Sequence, residues 1–291
     1  MLLAALTAVT GWYLSKHSVA VLQPAGEIGH KERNLIIFTV LISAVVVIPV
    51  FGLLVFILYK YREGNKHAKY APELEGSAAA ETIWWLVPTF IMVVISVVTW
   101  RSSYALDPYK QLSSAKPTLH VQVVALDWKW LFIYPDQRVA SVNEAAIPVG
   151  TPVDFEITSD SVMTSFWAPQ LGGQMYAMPG MSTALNLEAS KAGVYNGVAA
   201  NISGKGFADM KFVVKALPPV DYESWIASAK QSTLSLNDGS YASLARPGEV
   251  KKPMFYDVAD KGLYDTIVMK YMMPMGGNTN VETQLLSGVK L

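Results

Sequence analysis

The sequence predicts a two-helix membrane hairpin joined to an antiparallel β-sandwich and a helical C-terminal arm. Three observations predict it. Two long uncharged runs occupy residues 35–59 and 83–100. From Pro117 onward, short segments alternate apolar and polar residues. Beyond Leu217 the pattern turns helical and polar.

The bulk composition fits that division. A hydrophobic content of 52% with a mean hydropathy of +0.28 across 291 residues is high for a wholly soluble chain and leaves room for one anchor and one globular module. Lys+Arg and Asp+Glu are both 23, so net charge is zero and no electrostatic case for binding nucleic acid exists. Zero cysteines exclude disulfides, thiolate metal sites, cysteine nucleophiles and iron–sulfur clusters. The four histidines are His17, His30, His67 and His120, and none lies between residues 160 and 215. His120 shares a strand face with Gln122 and reads as a solvent-facing residue.

The N-terminal segment, residues 1–34, opens with an apolar stretch at 1–9 that no Lys or Arg precedes, a weak secretory signal and lead-in. The hairpin is expected over 35–102. As a helix, residues 35–59 would be about 37 Å long, enough to cross a hydrocarbon core of about 30 Å. Pro49 frees the carbonyl of Val45 and predicts a kink. Residues 83–100 carry Trp84, Trp85 and Trp100 near their ends as interfacial anchors, with Pro88 expected near the helix start, where its missing donor costs little. The loop over 60–82 holds Lys60, Arg62, Lys66 and Lys69, against Lys31 and Arg33 before the first span and Arg101 after the second. That bias places the loop in the cytoplasm and the rest outside.

The sandwich is expected over 103–216. Val153, Phe155 and Ile157 alternate with Asp154, Glu156 and Thr158, and Leu185 and Leu187 flank Asn186. Turns at Pro135-Asp136, Pro148-Val149-Gly150, Pro179-Gly180 and Ala192-Gly193 separate the strands. The arm is expected over 217–291, with Asp221 capping a helix through Trp225, Ile226 and Ala229, and a second helix over 256–273. The tail after Gly276 is expected to fray.

One segment carries the chemistry. Residues 193–210 read GVYNGVAANISGKGFADM, which resembles the G-x-Y-x-G-x-C-x-E-x-C-G-x-x-H-x-x-M loop that holds the dinuclear CuA centre in subunit II of haem-copper oxidases. Ala199 and Ser203 stand at the two cysteine positions, Asn201 at the glutamate and Phe207 at a histidine; Met210 alone is retained. Upstream, residues 161–169 read SVMTSFWAP, similar to the family's V-I-H-S-F-W-x-P segment, with Thr164 at the other histidine position. Copper electron-transfer sites need thiolate and imidazole donors, and a lone thioether is a weak axial ligand. The chain is therefore expected to hold no metal or other cofactor.

Residues 126–137, LDWKWLFIYPDQ, followed by ASVNE at 140–144, are similar to the quinol branch of the family, closest to the cytochrome bo-type ubiquinol oxidases. The resemblance makes the sandwich cupredoxin-like and the arm the family's aromatic-rich arm. It implies a multi-pass subunit of a bacterial inner-membrane complex with a periplasmic C-terminal domain. A partner, subunit I, would carry two haems and one copper and reduce dioxygen while pumping protons, with further small membrane subunits, membrane lipids and ubiquinol as the complex's other partners. The lipoprotein cysteine of relatives is matched here by His17, so the resemblance implies no such lipid anchor.

Two readings stay open for Glu81. A carboxylate in a helix's first turn complements the helix dipole, worth about 0.3–1 kcal/mol; the resemblance instead places Glu81 at the cytoplasmic mouth of a proton path into subunit I. Trp128 and Trp130 are expected in core packing. Met269, Met272, Met273 and Met275 are read as apolar packing at a subunit contact rather than a cuprous site. Asp127, Lys129, Asp136 and Arg138 are read as solvated surface. The leading function is a non-catalytic, stabilising subunit II of a ubiquinol oxidase. The alternatives are a free-standing membrane-tethered binding or assembly protein and, against its missing donors, a CuA-bearing cytochrome c oxidase subunit.

Overall fold

The computed structural model describes residues 9, 11, 12, 16, 19–65, 76–112, 114, 116–258 and 262–272. The expectations for His17, Lys66, His67, Lys69, Met273, Met275, most of the N-terminal apolar stretch and the tail after Gly276 lie outside these. The chain divides into two compact units, Lys31–Asp107 and the remainder.

The first of these holds the bulk of α1 (Glu27–Lys60) and α2 (Ala78–Ala105). Both are long and apolar enough to cross a membrane, and their apolar side chains point outward on every side, from Val40 and Leu41 to Phe90 and Met92. A helix apolar all round needs lipid or other helices as its surroundings. α1 begins eight residues ahead of the uncharged run because the charged turn Glu27 to Arg33 is helical too. α2 starts on a Ser77 cap whose hydroxyl accepts from Ala80 N at 3.5 Å. That early start corrects the reading of Pro88, which sits in the helix interior and leaves the Trp84 carbonyl without its usual donor. One residue on, Thr89 Oγ1 donates to Trp85 O at 2.7 Å.

The other unit is a two-sheet sandwich. Its strands are β1 (Leu119–Leu126), β2 (Lys129–Tyr134), β3 (Val139–Val142), β4 (Glu144–Pro148), β5 (Val153–Ser159), β6 (Thr164–Trp167), β7 (Gln174–Ala177), β8 (Thr183–Leu187), β9 (Gly193–Ala199), β10 (Lys211–Leu217), β11 (Ser235–Leu236) and β12 (Met254–Val258). One sheet runs β11-β12-β3-β2-β1-β5-β8 and the other β4-β10-β9-β6-β7. Most neighbours are antiparallel, while β1 with β5, β4 with β10 and β11 with β12 run parallel.

β2 shows why the core is thick. Successive side chains of a strand point to opposite faces. Trp130 and Phe132 point between the sheets, where they meet Phe166 and Phe212; Phe166 in turn meets Phe155, and the Phe166 and Phe212 rings stack at 4.6 Å. Leu131 and Ile133 point the other way, into a second cluster completed by Leu236, Tyr241, Leu244, Tyr256, Leu263 and Ile267 of the arm. Covered on both faces, β2 is buried throughout. Tyr134 closes its end: its hydroxyl donates to Ala146 O at 2.9 Å and accepts from Ala146 N at 2.8 Å.

The arm differs from the helical expectation. Besides α3 (Pro219–Lys230), α4 (Asp238–Leu244) and α5 (Leu263–Met272), it adds β11 and β12 to the sheet, and β12 pairs antiparallel with β3. Residues 256–258, expected to start a helix, are therefore strand, and the helix starts at Leu263. Pro218, not Asp221, is the cap of α3, with Pro219 at a first-turn position where no amide donor is needed. Lys129 is corrected as well. It is 3% exposed, and its ammonium donates to the carbonyls of Arg246 at 2.8 Å and Gly248 at 2.9 Å, because the arm lies over that face of β2. Burial pushes its pKa down, against the opposing pull of Asp127. Asp136 and Arg138 are exposed as expected, and Asp127 is half-buried, accepting from the Ser161 hydroxyl. His120 is exposed on β1, 3.6 Å from Asp154.

Candidate functional site

The loop at residues 200–210 joins β9 to β10 and closes with a 3-10 turn at Phe207–Asp209. Backbone bonds hold its two ends together: Ala199 N donates to Met210 O at 3.1 Å, and Met210 N to Phe207 O at 3.1 Å. On its other side Ala200 N donates to Ser165 O at 3.0 Å, which sets the loop beside the start of β6. The positions singled out in the sequence thus come together. Thr164, Ala199, Asn201, Ser203, Phe207 and Met210 belong to one end of the sandwich.

Two side-chain hydrogen bonds tie this end together. Ser165 Oγ donates to Asn201 Oδ1 at 2.7 Å. Ser203 Oγ donates to Met210 Sδ at 3.9 Å, so the sole remaining thioether serves as a weak acceptor. Ala199 and Met210 are buried. Thr164 Oγ1 is buried with no hydrogen-bond partner among the described residues. Hydroxyls, an amide and one thioether do not fit a dinuclear copper centre, which needs sulfur and nitrogen donors to bridge and hold two ions. Among the described residues no group of three or more His, Cys, Asp or Glu side chains converges.

Trp128 was expected in the core and lies instead on this loop. It has φ +63°, a conformation that a large side chain adopts only when its surroundings enforce it. Its indole Nε1 donates to Ser203 O at 3.3 Å. The ring also presses on Gly206, where an added Cβ would lie 2.4 Å from Trp128 Cδ2. Trp130 by contrast is fully buried in the aromatic core. Ser165 and the Trp128 contact were missed in the sequence; the paired glycines Gly204 and Gly206 were the available sign of a close approach.

Glu81 lies in the other unit. Four residues past the Ser77 cap, its amide donates to Ser77 O at 2.8 Å. Its exposed carboxylate folds back over the helix start, so that a Cβ at Gly76 would meet Glu81 Oε1 at 2.3 Å. Of the methionines, Met269 and Met272 are exposed on α5.

Sequence comparison decides the family. The chain is 43% identical over 253 residues to cytochrome bo(3) ubiquinol oxidase subunit 2 of Pseudomonas aeruginosa, covering 87% of this chain and 76% of that one. The chain belongs to the subunit II family of haem-copper quinol oxidases. Ubiquinol oxidase subunit 2 of Acetobacter aceti is 45% identical over 253 residues, covering 86% of this chain and 82% of the relative. Family models match in series: the cytochrome c oxidase subunit II transmembrane domain at residues 17–101, its periplasmic domain at 99–217 and the aromatic-rich motif at 230–275. Among solved structures, the periplasmic domain of subunit II of the Bradyrhizobium japonicum cytochrome oxidase aligns with 42% of this chain and 98% of its own length, at 23% identity and a TM-score of 0.39. As a family member, this subunit II is a membrane-anchored, cupredoxin-like protein.

Proposed function

We propose that this subunit II works without a redox centre of its own, as a stabilising and orienting part of a proton-pumping ubiquinol oxidase. The observation that carries the reading is the loop at 200–210, whose copper-ligand positions are filled by Ala199, Asn201, Ser203 and Phe207 and knitted by the Ser165–Asn201 and Ser203–Met210 hydrogen bonds. A quinol dissolved in the bilayer delivers electrons directly to a membrane-embedded haem subunit, so an external copper relay has no task. The haems and the single copper belong to subunit I, and small membrane subunits complete the assembly. The membrane is the bacterial inner membrane, with the hairpin at 35–102, its 60–82 loop cytoplasmic, and the 103–216 sandwich and 217–291 arm periplasmic. Lys60 and Arg62 in the loop support that orientation.

Mild detergent extraction tests the reading. The chain is expected to co-purify with a polytopic haem-bearing partner, and the preparation to oxidise ubiquinol but not reduced cytochrome c. Recovery of the chain alone would favour a free-standing binding or assembly protein, and two coppers per chain would overturn the redox-free assignment.

Within this reading, Glu81 gathers protons at the cytoplasmic mouth of a path into subunit I. Its exposed carboxylate at the start of α2 suits that task. Glu81→Ala is expected to lower turnover several-fold and slow proton uptake, while the haem spectrum and yield stay unchanged. Glu81→Asp should restore much of the rate. Unchanged turnover in the alanine variant would return Glu81 to a helix-dipole role.

A further inference from the structure

The C-terminal end of α1 carries a preorganised set of cations. Arg62 Cζ lies 4.3 Å from the Tyr59 ring centroid, and Lys60 Nζ lies 5.4 Å from that of Phe56 and 5.6 Å from that of Tyr61. Tyr59 and Tyr61 are exposed. Among the described residues neither Lys60 nor Arg62 forms an ion pair, whereas the other ring-seated lysine, Lys270, is bound to Asp160. Glu63 is the one acidic residue between 56 and 65, and Lys66 and Lys69 follow in the sequence.

Three physical consequences point to one ligand. A guanidinium stacked on a ring keeps its N–H edge free, and that edge matches two phosphate oxygens. The helix C-terminus is electronegative and holds cations in place; here Asn65 Nδ2 closes it with a bond to Lys60 O at 2.5 Å. The set also ends a run of uncharged side chains, so in a hairpin that crosses the membrane it lies at headgroup depth, where phosphodiesters are fixed and free phosphate is not.

We infer that Lys60 and Arg62, seated on Phe56, Tyr59 and Tyr61, form a binding site for the headgroup of an anionic phospholipid. The inference rests on the proposed membrane crossing of α1, and not on the absence of a redox centre. The test reconstitutes the intact complex into phosphatidylcholine vesicles doped with spin-labelled phosphatidylglycerol and measures the motionally restricted fraction. The wild type should select phosphatidylglycerol over phosphatidylcholine. Lys60→Gln with Arg62→Gln should lower that selectivity by roughly ten-fold or more, two basic contacts being lost. The swap Lys60→Arg with Arg62→Lys should retain most of it. An excess of inorganic phosphate should not compete. Undiminished selectivity in the glutamine pair would overturn the site, and so would full competition by phosphate. Should the glutamine pair fail to assemble, Tyr59→Leu with Tyr61→Leu gives the same reading by unseating the cations. The haem spectrum, recorded on each sample, reports separately on whether the chain is an oxidase subunit.

Discussion

Phe212→Ala is expected to cost about 3–5 kcal/mol of stability, the range for removing a large aromatic from a filled core. Phe212 is 2% exposed and is shared by both halves of the sandwich. It stacks on Phe166 at 4.6 Å with planes 16° apart, and meets Trp130 at 5.5 Å and Phe132 at 5.6 Å. Across the β9–β10 ladder it opposes Gly197, where a Cβ would lie 2.1 Å from the Phe212 ring. Glycine there opens the space that the ring fills, so truncation leaves a void that no neighbouring side chain can close. Equilibrium denaturation of the detergent-solubilised chain, followed by tryptophan fluorescence, measures the loss directly. A change below about 1 kcal/mol would show that the inter-sheet core tolerates collapse at this point. Because β10 follows directly from the stripped loop, the variant should also shift the fluorescence of Trp128, which rests on that loop.

The sequence revealed the large elements where one physical signal dominated. Charge-free runs marked both membrane helices, because a lipid-facing helix cannot place charges along its length. Alternation marked β5 and β8, each with one face in the core. β2 was legible as an aromatic run but not as a strand buried on both sides, since its second cover comes from residues about a hundred positions downstream. The same distance hid Lys129, whose carbonyl partners at Arg246 and Gly248 have no local signature. Residues 256–258 of β12 read as the start of a helix because so short a strand beside a helical stretch carries too little period to decide. At this end of the sandwich, resemblance to two family motifs aligned six positions; the bonds that hold the loop join Ser165 to Asn201 and Trp128 to Ser203, pairs no local pattern connects.

The shape of that loop has a source visible in its neighbours. Trp128 caps one side, Ser165 and Asn201 tie another, and Met210 is anchored to β9 through Ala199. The frame is thus held by hydrogen bonds and an aromatic cover.

The arm is expected to come loose in Asp160→Ala, at a cost of about 2–4 kcal/mol. Asp160 follows β5, and its side chain is 1% exposed. Tyr241 Oη of α4 donates to Oδ2 at 2.6 Å, while Lys270 Nζ and Tyr271 Oη of α5 donate to Oδ1 at 2.6 and 2.8 Å. One carboxylate therefore gathers two arm helices onto the sandwich, and alanine leaves the Tyr241 hydroxyl without its acceptor. The same cluster sets a pH limit. The hydrogen bond to Asp160 pushes the Lys270 pKa up, so its contribution is complete below about 10.4 and is lost as pH rises through the higher folded value. Burial, reinforced by Asp160, pushes Tyr241 and Tyr271 up as well. Above about pH 10 the unfolded phenols ionise while the folded ones resist, which again favours the open state. All three groups act in one direction: arm docking weakens in alkali. Hydrogen exchange across residues 238–244 and 263–272 should show protection that is steady at neutral pH and falls beyond about pH 10. In Asp160→Ala protection should be low at neutral pH and the alkaline step reduced. Equal protection in the variant and the wild type would mean that the apolar contacts of Tyr241, Leu263 and Ile267 hold the arm without the carboxylate.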